Sequence, residues 1–162
     1  MENTTMSTQA QLALQPQSWL NLRTVSLLLV LVGIVITIYL SYTALSNTTP
    51  VCTEAEGFDC GAVQNSVYSK LMGIPIAYLG LAAYLMLGGL LLLENRVPFL
   101  TAYGPTLVFG ITLFGFIYSM WLVYVQAAIL RSYCTWCLAH EAVMTLLFIL
   151  SAARLYRSLR SA

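Results

Sequence analysis

Four long apolar segments alternate with short polar segments along this chain. They cover about residues 24–46, 73–93, 102–130 and 134–153. A helix of about 20 residues rises about 30 Å, enough to cross the hydrocarbon core of a bilayer. Each segment is therefore predicted to be a spanning helix. The predicted fold class is all-α: a polytopic membrane protein with a bundle of four transmembrane helices.

The polar segments set the predicted organisation of the chain. Residues 1–22 are rich in Gln, Thr and Ser, which indicates a flexible amino-terminal tail. A four-helix membrane domain is predicted over residues 23–156, followed by a carboxyl-terminal tail at residues 157–162. Residues 47–72 hold a proline, glycines and several charged side chains, so they are predicted to form a loop outside the membrane.

Apolar side chains recur at helical spacing within this loop, at Ala62, Val63, Val67 and Leu71. An apolar stripe beside polar neighbours is typical of an amphipathic helix that lies in the membrane interface. We therefore expect the loop to carry a short interfacial helix.

A cleavable signal peptide is the alternative interpretation of the first apolar segment, because residues 44–46 (Ala-Leu-Ser) form a tolerable cleavage sequence. Signal peptides have an apolar stretch of 7–15 residues behind a basic flank. The stretch here is longer and its basic flank is weak, which favours a spanning helix.

Basic residues are divided unequally between the two sides of the predicted bundle. With four spans, the two tails and the turn at residues 94–96 share one side, and the 47–72 loop lies on the other. The first side carries Arg23, Arg96, Arg154, Arg157 and Arg160, while the second carries Lys70 and Arg131. Cytoplasmic loops are enriched in Lys and Arg. The five-arginine side is therefore predicted to be cytoplasmic and the loop extracytoplasmic.

Composition agrees with a membrane protein. Apolar residues make up 59% of the chain and charged residues 8%, whereas soluble domains carry about 25% charged residues. The formal net charge of +1 gives no reason to expect a nucleic-acid partner.

All four cysteines fall on the predicted extracytoplasmic side. They are Cys52, Cys60, Cys134 and Cys137. Disulfides persist in that compartment because the cytosolic reductants do not reach it. Three interpretations are open: two structural disulfides, a zinc site with four thiolates, and a redox-active set.

The Cys134-Thr-Trp-Cys137 sequence favours a redox role. Residues three apart on a helix share a face, and unpaired N–H groups at a helix start favour an anion. Such placement lowers the pKa of a thiol and makes its thiolate a nucleophile. Ser132 is the predicted N-cap of this helix. Since the chain has no dinucleotide-binding glycine pattern and no haem-ligating histidine pair, a lipid-soluble quinone is the expected electron acceptor.

These motifs together resemble the vitamin K epoxide reductase family, in particular its prokaryotic members. The resemblance lies in Cys52 and Cys60 with seven residues between them, Ser66, Gly73-Ile74-Pro75 with Gly80, and the Cys134/Cys137 pair that opens the last helix. It implies a four-helix bundle around a quinone. It also implies a separate thioredoxin-like protein as the thiol partner in the extracytoplasmic space.

The resemblance assigns a role to each cysteine. It implies that Cys52 and Cys60 exchange with the dithiol of the partner, and that Cys134 exchanges with the loop through Cys60. It implies that Cys137 faces the quinone, and that Ser66 occupies a Ser/Thr position associated with the active site.

Three further residues are candidates for contact with the quinone. Ile76 stands where animal members of the family carry an asparagine, so this chain departs from the family pattern there. His140 and Glu141 lie one turn inside the last helix. Glu141 is the only acid within a predicted span, and an ionisable group there defaults to a functional hypothesis. It either donates a proton to a quinone oxygen or pairs with Arg131 in the headgroup layer.

The predicted function is therefore that of a quinone-dependent thiol oxidoreductase that reoxidises its partner and supports disulfide bond formation. The quinone is expected to be of the ubiquinone or menaquinone (vitamin K) type, with no metal. The expected location is a bacterial or archaeal cytoplasmic membrane with the active site facing outwards. The alternatives are a quinone or quinone-epoxide reductase, and a non-enzymatic membrane protein with structural disulfides. A further rival is the bacterial quinone-linked disulfide-bond enzyme, which also has four helices. Its Cys-x-x-Cys precedes its loop cysteine pair, whereas in this chain the loop pair comes first.

Overall fold

The computed structural model describes the backbone of residues 3–161 and the side chains of residues 22–160, and it is mainly helical. The helices are α1 (Asn3–Ser46), α2 (Cys60–Gln64), α3 (Ile76–Leu93), α4 (Pro98–Tyr124) and α5 (Thr135–Ser161). A π-helical turn, Val125–Leu130, continues α4, and a 3₁₀ turn covers Val67–Ser69. Two short antiparallel strands, β1 (Lys70–Leu71) and β2 (Ile74–Pro75), form a hairpin in the loop.

Four helical segments are long and apolar enough to cross a membrane, which confirms the predicted all-α tetraspan fold. They are Leu22–Ser46, Ile76–Leu93, Pro98–Leu130 and Thr135–Arg160. Two boundaries differ from the prediction. The second span starts at Ile76 because the residues before it form the hairpin. The third starts at Pro98, since proline is favoured in the first turn of a helix.

Helical backbone extends beyond the predicted spans at both ends of the chain. Helix α1 begins at Asn3, ahead of the first predicted span, and α5 continues to Ser161 through the predicted carboxyl-terminal tail. The side chains of residues 1–21 lie outside the described part of the chain. The flexible tail over residues 1–22 therefore stays a prediction.

The predicted interfacial helix of the loop is shorter than expected. Helix α2 ends at Gln64, and the Ser66 backbone is extended (φ −66°, ψ 157°). The Ser66 hydroxyl donates a hydrogen bond to the carbonyl of Val63 (2.7 Å). Such side-chain bonds to the backbone compete with helix continuation. The prediction was therefore wrong for Val67, which lies in the 3₁₀ turn, and for Leu71, which lies in β1.

The core of the bundle is built around the inner face of α3. Helix α1 packs against α3 and α5, and α4 packs against α5. Tyr84, Leu87 and Leu91 of α3 are almost completely buried and share one core cluster with Val30 of α1. Gly33 of α1 lies directly against the Tyr84 ring. The close approach of α1 and α3 therefore depends on the absence of a side chain at residue 33.

We expect Gly33→Ala to destabilise the bundle. An ideal Cβ at Gly33 would lie 2.2 Å from Cε1 of Tyr84, and the Tyr84 side chain is itself completely buried. Overpacking of this kind costs about 1–3 kcal/mol. The matched control is Gly89→Ala on α3, where a Cβ would meet no atom within 4 Å and alanine favours the helix. Thermal unfolding in detergent measures the stability of both variants. Equal melting temperatures of Gly33→Ala and Gly89→Ala would contradict the expectation.

Candidate functional site

The loop is joined to the start of α5 by a short backbone bridge. The N–H of Asp59 donates to the carbonyl of Tyr133 (3.0 Å), and the N–H of Tyr133 donates to the carbonyl of Gly57 (2.8 Å). This pairing aligns the segment that precedes Cys60 with the segment that precedes Cys134. Both sulfur-bearing residues consequently lie in one buried cluster, where Cys60 is 1% exposed and Cys134 is 0% exposed.

Two aromatic side chains hold the loop on the other side of this cluster. The hydroxyl of Tyr39 accepts the N–H of Val51 (3.0 Å), and the indole Nε1–H of Trp136 donates to the carbonyl of Val51 (2.7 Å). The two rings contact each other, with centroids 4.6 Å apart. The backbone on either side of Cys52 is further fixed by the hydrogen bond between the hydroxyls of Thr53 and Thr135 (3.0 Å).

The two cysteine pairs are in different redox states. Cys52 and Cys60 form a disulfide (S–S 2.07 Å), and Cys134 and Cys137 are free thiols. Cys52 is partly exposed whereas Cys60 is buried, so Cys52 is the more accessible residue of the disulfide. A four-thiolate zinc site requires all four cysteines to be reduced, and this pairing leaves two thiols.

Cys134 acts as the N-cap of α5. Its sulfur accepts a hydrogen bond from the N–H of Cys137 (3.4 Å), one turn into the helix. The prediction that Ser132 caps α5 was wrong, because α5 begins at Thr135 and the N–H of Ser132 instead donates to the carbonyl of Gln126. A sulfur atom in the capping position receives the N–H groups that would otherwise lack an acceptor.

The pKa of Cys134 reflects this position. The hydrogen bond from the side chain of Cys137 lowers the pKa of Cys134, and the backbone N–H groups of Cys137 and Trp136 lower it further. Burial acts in the opposite direction, and the net result is a pKa of about 7. At neutral pH, therefore, more of Cys134 is present as the thiolate, the form that attacks disulfides, than in an ordinary cysteine.

A cavity of about 380 Å³ lies beside the cysteines and is lined by residues of the loop and of the four spanning helices. The predicted site residues that line it are Cys137, Ser66, Ile76, His140 and Glu141. The structure thus divides the predicted site residues into two groups. Cys52, Cys60 and Cys134 belong to the buried sulfur cluster, and the other five line the cavity. Cys137 belongs to both, since it packs against the cluster as well.

Helix α5 contributes two polar side chains to the cavity beyond Cys137, those of His140 and Glu141. The Oε1 atom of Glu141 accepts a hydrogen bond from the hydroxyl of Thr145 (3.1 Å), whereas its Oε2 atom is buried and has no hydrogen-bond partner. His140 contacts the Tyr84 ring edge-on, with centroids 5.5 Å apart. The predicted alternative for Glu141, a pair with Arg131, is not formed. In the described residues 22–160 the one ion pair is that of Arg154 with Glu94.

The dimensions and lining of this cavity suit a quinone ring. Small-molecule sites are concave, mostly apolar and about 300–1,000 Å³ in volume, with a few polar groups for orientation. Here a thiol lies in an otherwise largely apolar wall, and a buried carboxylate oxygen still lacks a partner.

The vitamin K epoxide reductase family model matches residues 24–152, which include all four cysteines and most of the four spans. The chain belongs to the vitamin K epoxide reductase family. Members of this family are oxidoreductases that use quinones and a thiol redox partner, so this integral membrane protein is a thiol–quinone oxidoreductase in outline.

Sequence reasoning missed two residues of the site, Tyr39 and Gln126. Tyr39 lies among apolar residues of α1, and nothing in the neighbouring sequence indicates that its hydroxyl accepts the N–H of Val51 in the loop. Gln126 is a polar amide near the end of the third apolar segment, and its side chain accepts the N–H of Cys134. A buried amide in a spanning helix is costly unless it is hydrogen-bonded. Its presence there was therefore the available signal.

Proposed function

We propose that this protein oxidises a separate thioredoxin-like partner and passes the electrons to a quinone held in the cavity, which supports disulfide bond formation. One observation carries the proposal: the sulfurs form a continuous series from the surface to the cavity. Cys52 is partly exposed, Cys60 and Cys134 share the buried cluster, and Cys137 lines the cavity wall.

The first exchange takes place at the outer sulfur. A thiolate of the partner attacks Cys52, and the Cys52–Cys60 bond breaks with Cys60 as the leaving thiolate. The second thiol of the partner then attacks the mixed disulfide, releasing Cys52 and leaving the partner oxidised. Two electrons and two protons have moved from the partner to the loop pair. Cys52 suits the first attack because it is the accessible sulfur of the two.

The second exchange moves the electrons inward. The Cys60 thiolate attacks Cys134 of an oxidised Cys134–Cys137 pair, and Cys137 leaves. Cys52 then attacks Cys60, which re-forms the loop disulfide and releases Cys134. A thiol of low pKa is a good leaving group, and the hydrogen bonds that hold the pKa of Cys134 at about 7 favour its release. The resulting redox state, an oxidised loop and a reduced Cys134–Cys137 pair, is the state of the structure.

The cavity completes the route. A bound quinone supplies a lipid-soluble acceptor for two electrons and two protons. Cys137 lines the wall and returns to its disulfide with Cys134 as the electrons leave. Glu141 offers a buried oxygen without a partner, which can hold or deliver a proton, and His140 lies beside it. Ile76 contributes apolar surface and no hydrogen-bond donor, which favours the quinone rather than its epoxide as acceptor.

The proposed setting is a bacterial or archaeal cytoplasmic membrane in which the loop faces outwards. This orientation is supported by the five arginines at the opposite end of the bundle, because cytoplasmic segments are enriched in basic residues. It places the accessible sulfur, Cys52, in the compartment in which disulfides are made.

Anaerobic mixing of the purified protein with a reduced thioredoxin-like protein and a quinone analogue tests the function. We expect one quinone to be reduced for each partner disulfide that forms. In Cys52→Ala we expect that the reduced partner no longer supports quinone reduction. A small membrane-permeant dithiol should still support it through Cys134 and Cys137. Glu56→Ala, at an exposed side chain of the same loop that does not line the cavity, is the control for loop damage. Disulfides that stay fixed in the presence of partner and quinone would favour a structural role and contradict the proposal.

A further inference from the structure

Gln126 organises the backbone that leads into the reactive thiol. It lies in the π-helical turn at the end of α4 and is 3% exposed. Its carbonyl accepts the N–H groups of both Arg131 and Ser132, and its side-chain Oε1 accepts the N–H of Cys134 (2.9 Å). The remaining N–H in this stretch, that of Tyr133, donates to the loop. One residue thus accepts three of the four N–H groups that precede α5.

The π-helical turn makes this arrangement possible. π-Helical turns are rare in helices and are frequent at functional sites. In this one the chain reverses through Arg131, whose backbone is left-handed (φ 50°), and returns towards the Gln126 side chain. The turn therefore brings an uncharged amide on α4 to the first residue of the Cys134–Cys137 motif.

The orientation of the amide is determined by its bond to Cys134. Because Oε1 must be the atom that accepts an N–H, the Nε2 atom points the other way. Gln126 also lines the cavity, and no hydrogen bond from Nε2 to the protein is found within the described residues. The side chain therefore contacts the reactive segment on one side and the acceptor cavity on the other.

We propose that Gln126 is a positioning residue for Cys134, which fixes the backbone of that cysteine so that its sulfur caps α5. The inference rests on the role of Cys134 in the proposed function. To end the helix, Gln126 needs only its backbone carbonyl, which accepts the N–H groups of Arg131 and Ser132. Its side chain makes a separate hydrogen bond to the N–H of Cys134.

The physical consequence concerns the capping geometry. Without the Gln126 acceptor, the N–H of Cys134 would be buried without a partner, an unfavourable state from which the segment would relax. The sulfur would then move away from the N–H groups of Trp136 and Cys137, and the thiolate would lose part of its stabilisation.

The pH dependence of Cys134 alkylation tests the proposal. Mass mapping of a small alkylating reagent reads this thiol separately from Cys137, and the loop disulfide does not react. In the unaltered protein we expect a midpoint near pH 7. In Gln126→Met, which keeps the length and removes the acceptor, the midpoint is expected to rise by about one pH unit, so that the thiolate fraction at pH 7 falls about fivefold. Gln64→Met on α2, which makes the same chemical change without a bond to Cys134, is expected to leave the midpoint in place.

A second pair of variants covers the case in which Gln126→Met does not fold. Gln126→Asn keeps the amide but is one methylene shorter, so its oxygen no longer reaches the N–H of Cys134 and its midpoint should also rise, while that of Gln64→Asn should not. The other titratable and charged groups along this segment and across the bridge are Cys137, Tyr133, Asp59 and Arg131, and they are the same in all variants.

Unchanged midpoints in the Gln126 variants, or equal shifts in the Gln64 variants, would overturn the inference. The titration needs neither partner nor quinone. An unaltered protein that fails to reduce quinone would therefore defeat the proposed function and leave the result on Gln126 standing.

Discussion

Replacing Cys137 with alanine is expected to lower quinone reduction by on the order of a thousandfold or more, the scale seen when a nucleophile is removed. Cys137 is the cysteine that lines the cavity, and the loop disulfide is formed without it. A partner dithiol should therefore still reduce Cys52–Cys60 in this variant at close to its normal rate. Quinone absorbance follows the first reaction, and mass mapping after rapid mixing follows the second.

Cys137→Ser separates the redox role of this residue from its hydrogen bond. A serine hydroxyl can still donate to the sulfur of Cys134 but cannot form a disulfide. Both variants should fail to reduce quinone, whereas the pKa of Cys134 should stay near its value of about 7 with serine and rise with alanine, where the largest stabilising contact is lost. Substantial quinone reduction by either variant would exclude Cys137 as the residue that passes electrons to the acceptor.

The same geometry can be checked by crosslinking. In a Cys52→Ala, Cys137→Ala protein the two remaining cysteines, Cys60 and Cys134, share the buried cluster and should form a disulfide under mild oxidation. The matched Cys52→Ala, Cys134→Ala protein leaves Cys60 with Cys137, which lines the cavity, and should form much less of it. An equal yield of the two disulfides would argue against Cys134 as the specific receiver of electrons from the loop.

The fold was predictable where one physical effect dominates. The cost of burying polar groups in lipid leaves long uncharged runs, and these runs alone identify all four spans. The prediction failed in the loop, where the apolar period through Val67 and Leu71 suggested one continuous helix. The competing hydrogen bond from the Ser66 hydroxyl to the carbonyl of Val63 ends the helix. The spacing of apolar residues does not reveal such a bond.

The candidate site was predictable to the extent that its chemistry is local. The Cys134–Cys137 spacing predicted a lowered pKa for a thiol at a helix start, and the structure gives Cys134 a pKa of about 7. Contacts between distant residues were not accessible in this way. The bond between Trp136 and Val51 joins residues 85 positions apart, and no spacing rule links them. Gln126 and Tyr39 were missed for the same reason.

The end of the bundle opposite the cysteines is expected to depend on a buried ion pair. An Nη2 atom of Arg154 on α5 lies 2.5 Å from Oε2 of Glu94, at the turn between α3 and α4. Both side chains are buried, and the Nε and Nη1 atoms of Arg154 have no hydrogen-bond partner. Glu94→Ala would leave this guanidinium without its counter-charge. Removing one member of a buried pair costs about 3–5 kcal/mol, so we expect a large loss of stability in thermal or denaturant unfolding in detergent.

Two comparisons decide whether the lost charge or the lost packing causes the loss of stability expected in Glu94→Ala. Arg157→Met changes an exposed arginine on the same helix and should alter stability by less than about 0.5 kcal/mol. The double variant Glu94→Leu, Arg154→Met replaces the pair by apolar side chains of similar size, which is often neutral or stabilising, so it should recover most of the loss seen in Glu94→Ala. If the double variant is as unstable as the single one, apolar side chains of similar size do not replace the pair, and the ion pair itself contributes net stability at this point. If it recovers, the pair contributes little net stability but makes each charge dependent on the other, so that neither residue can be changed alone without loosening the helices that carry the site.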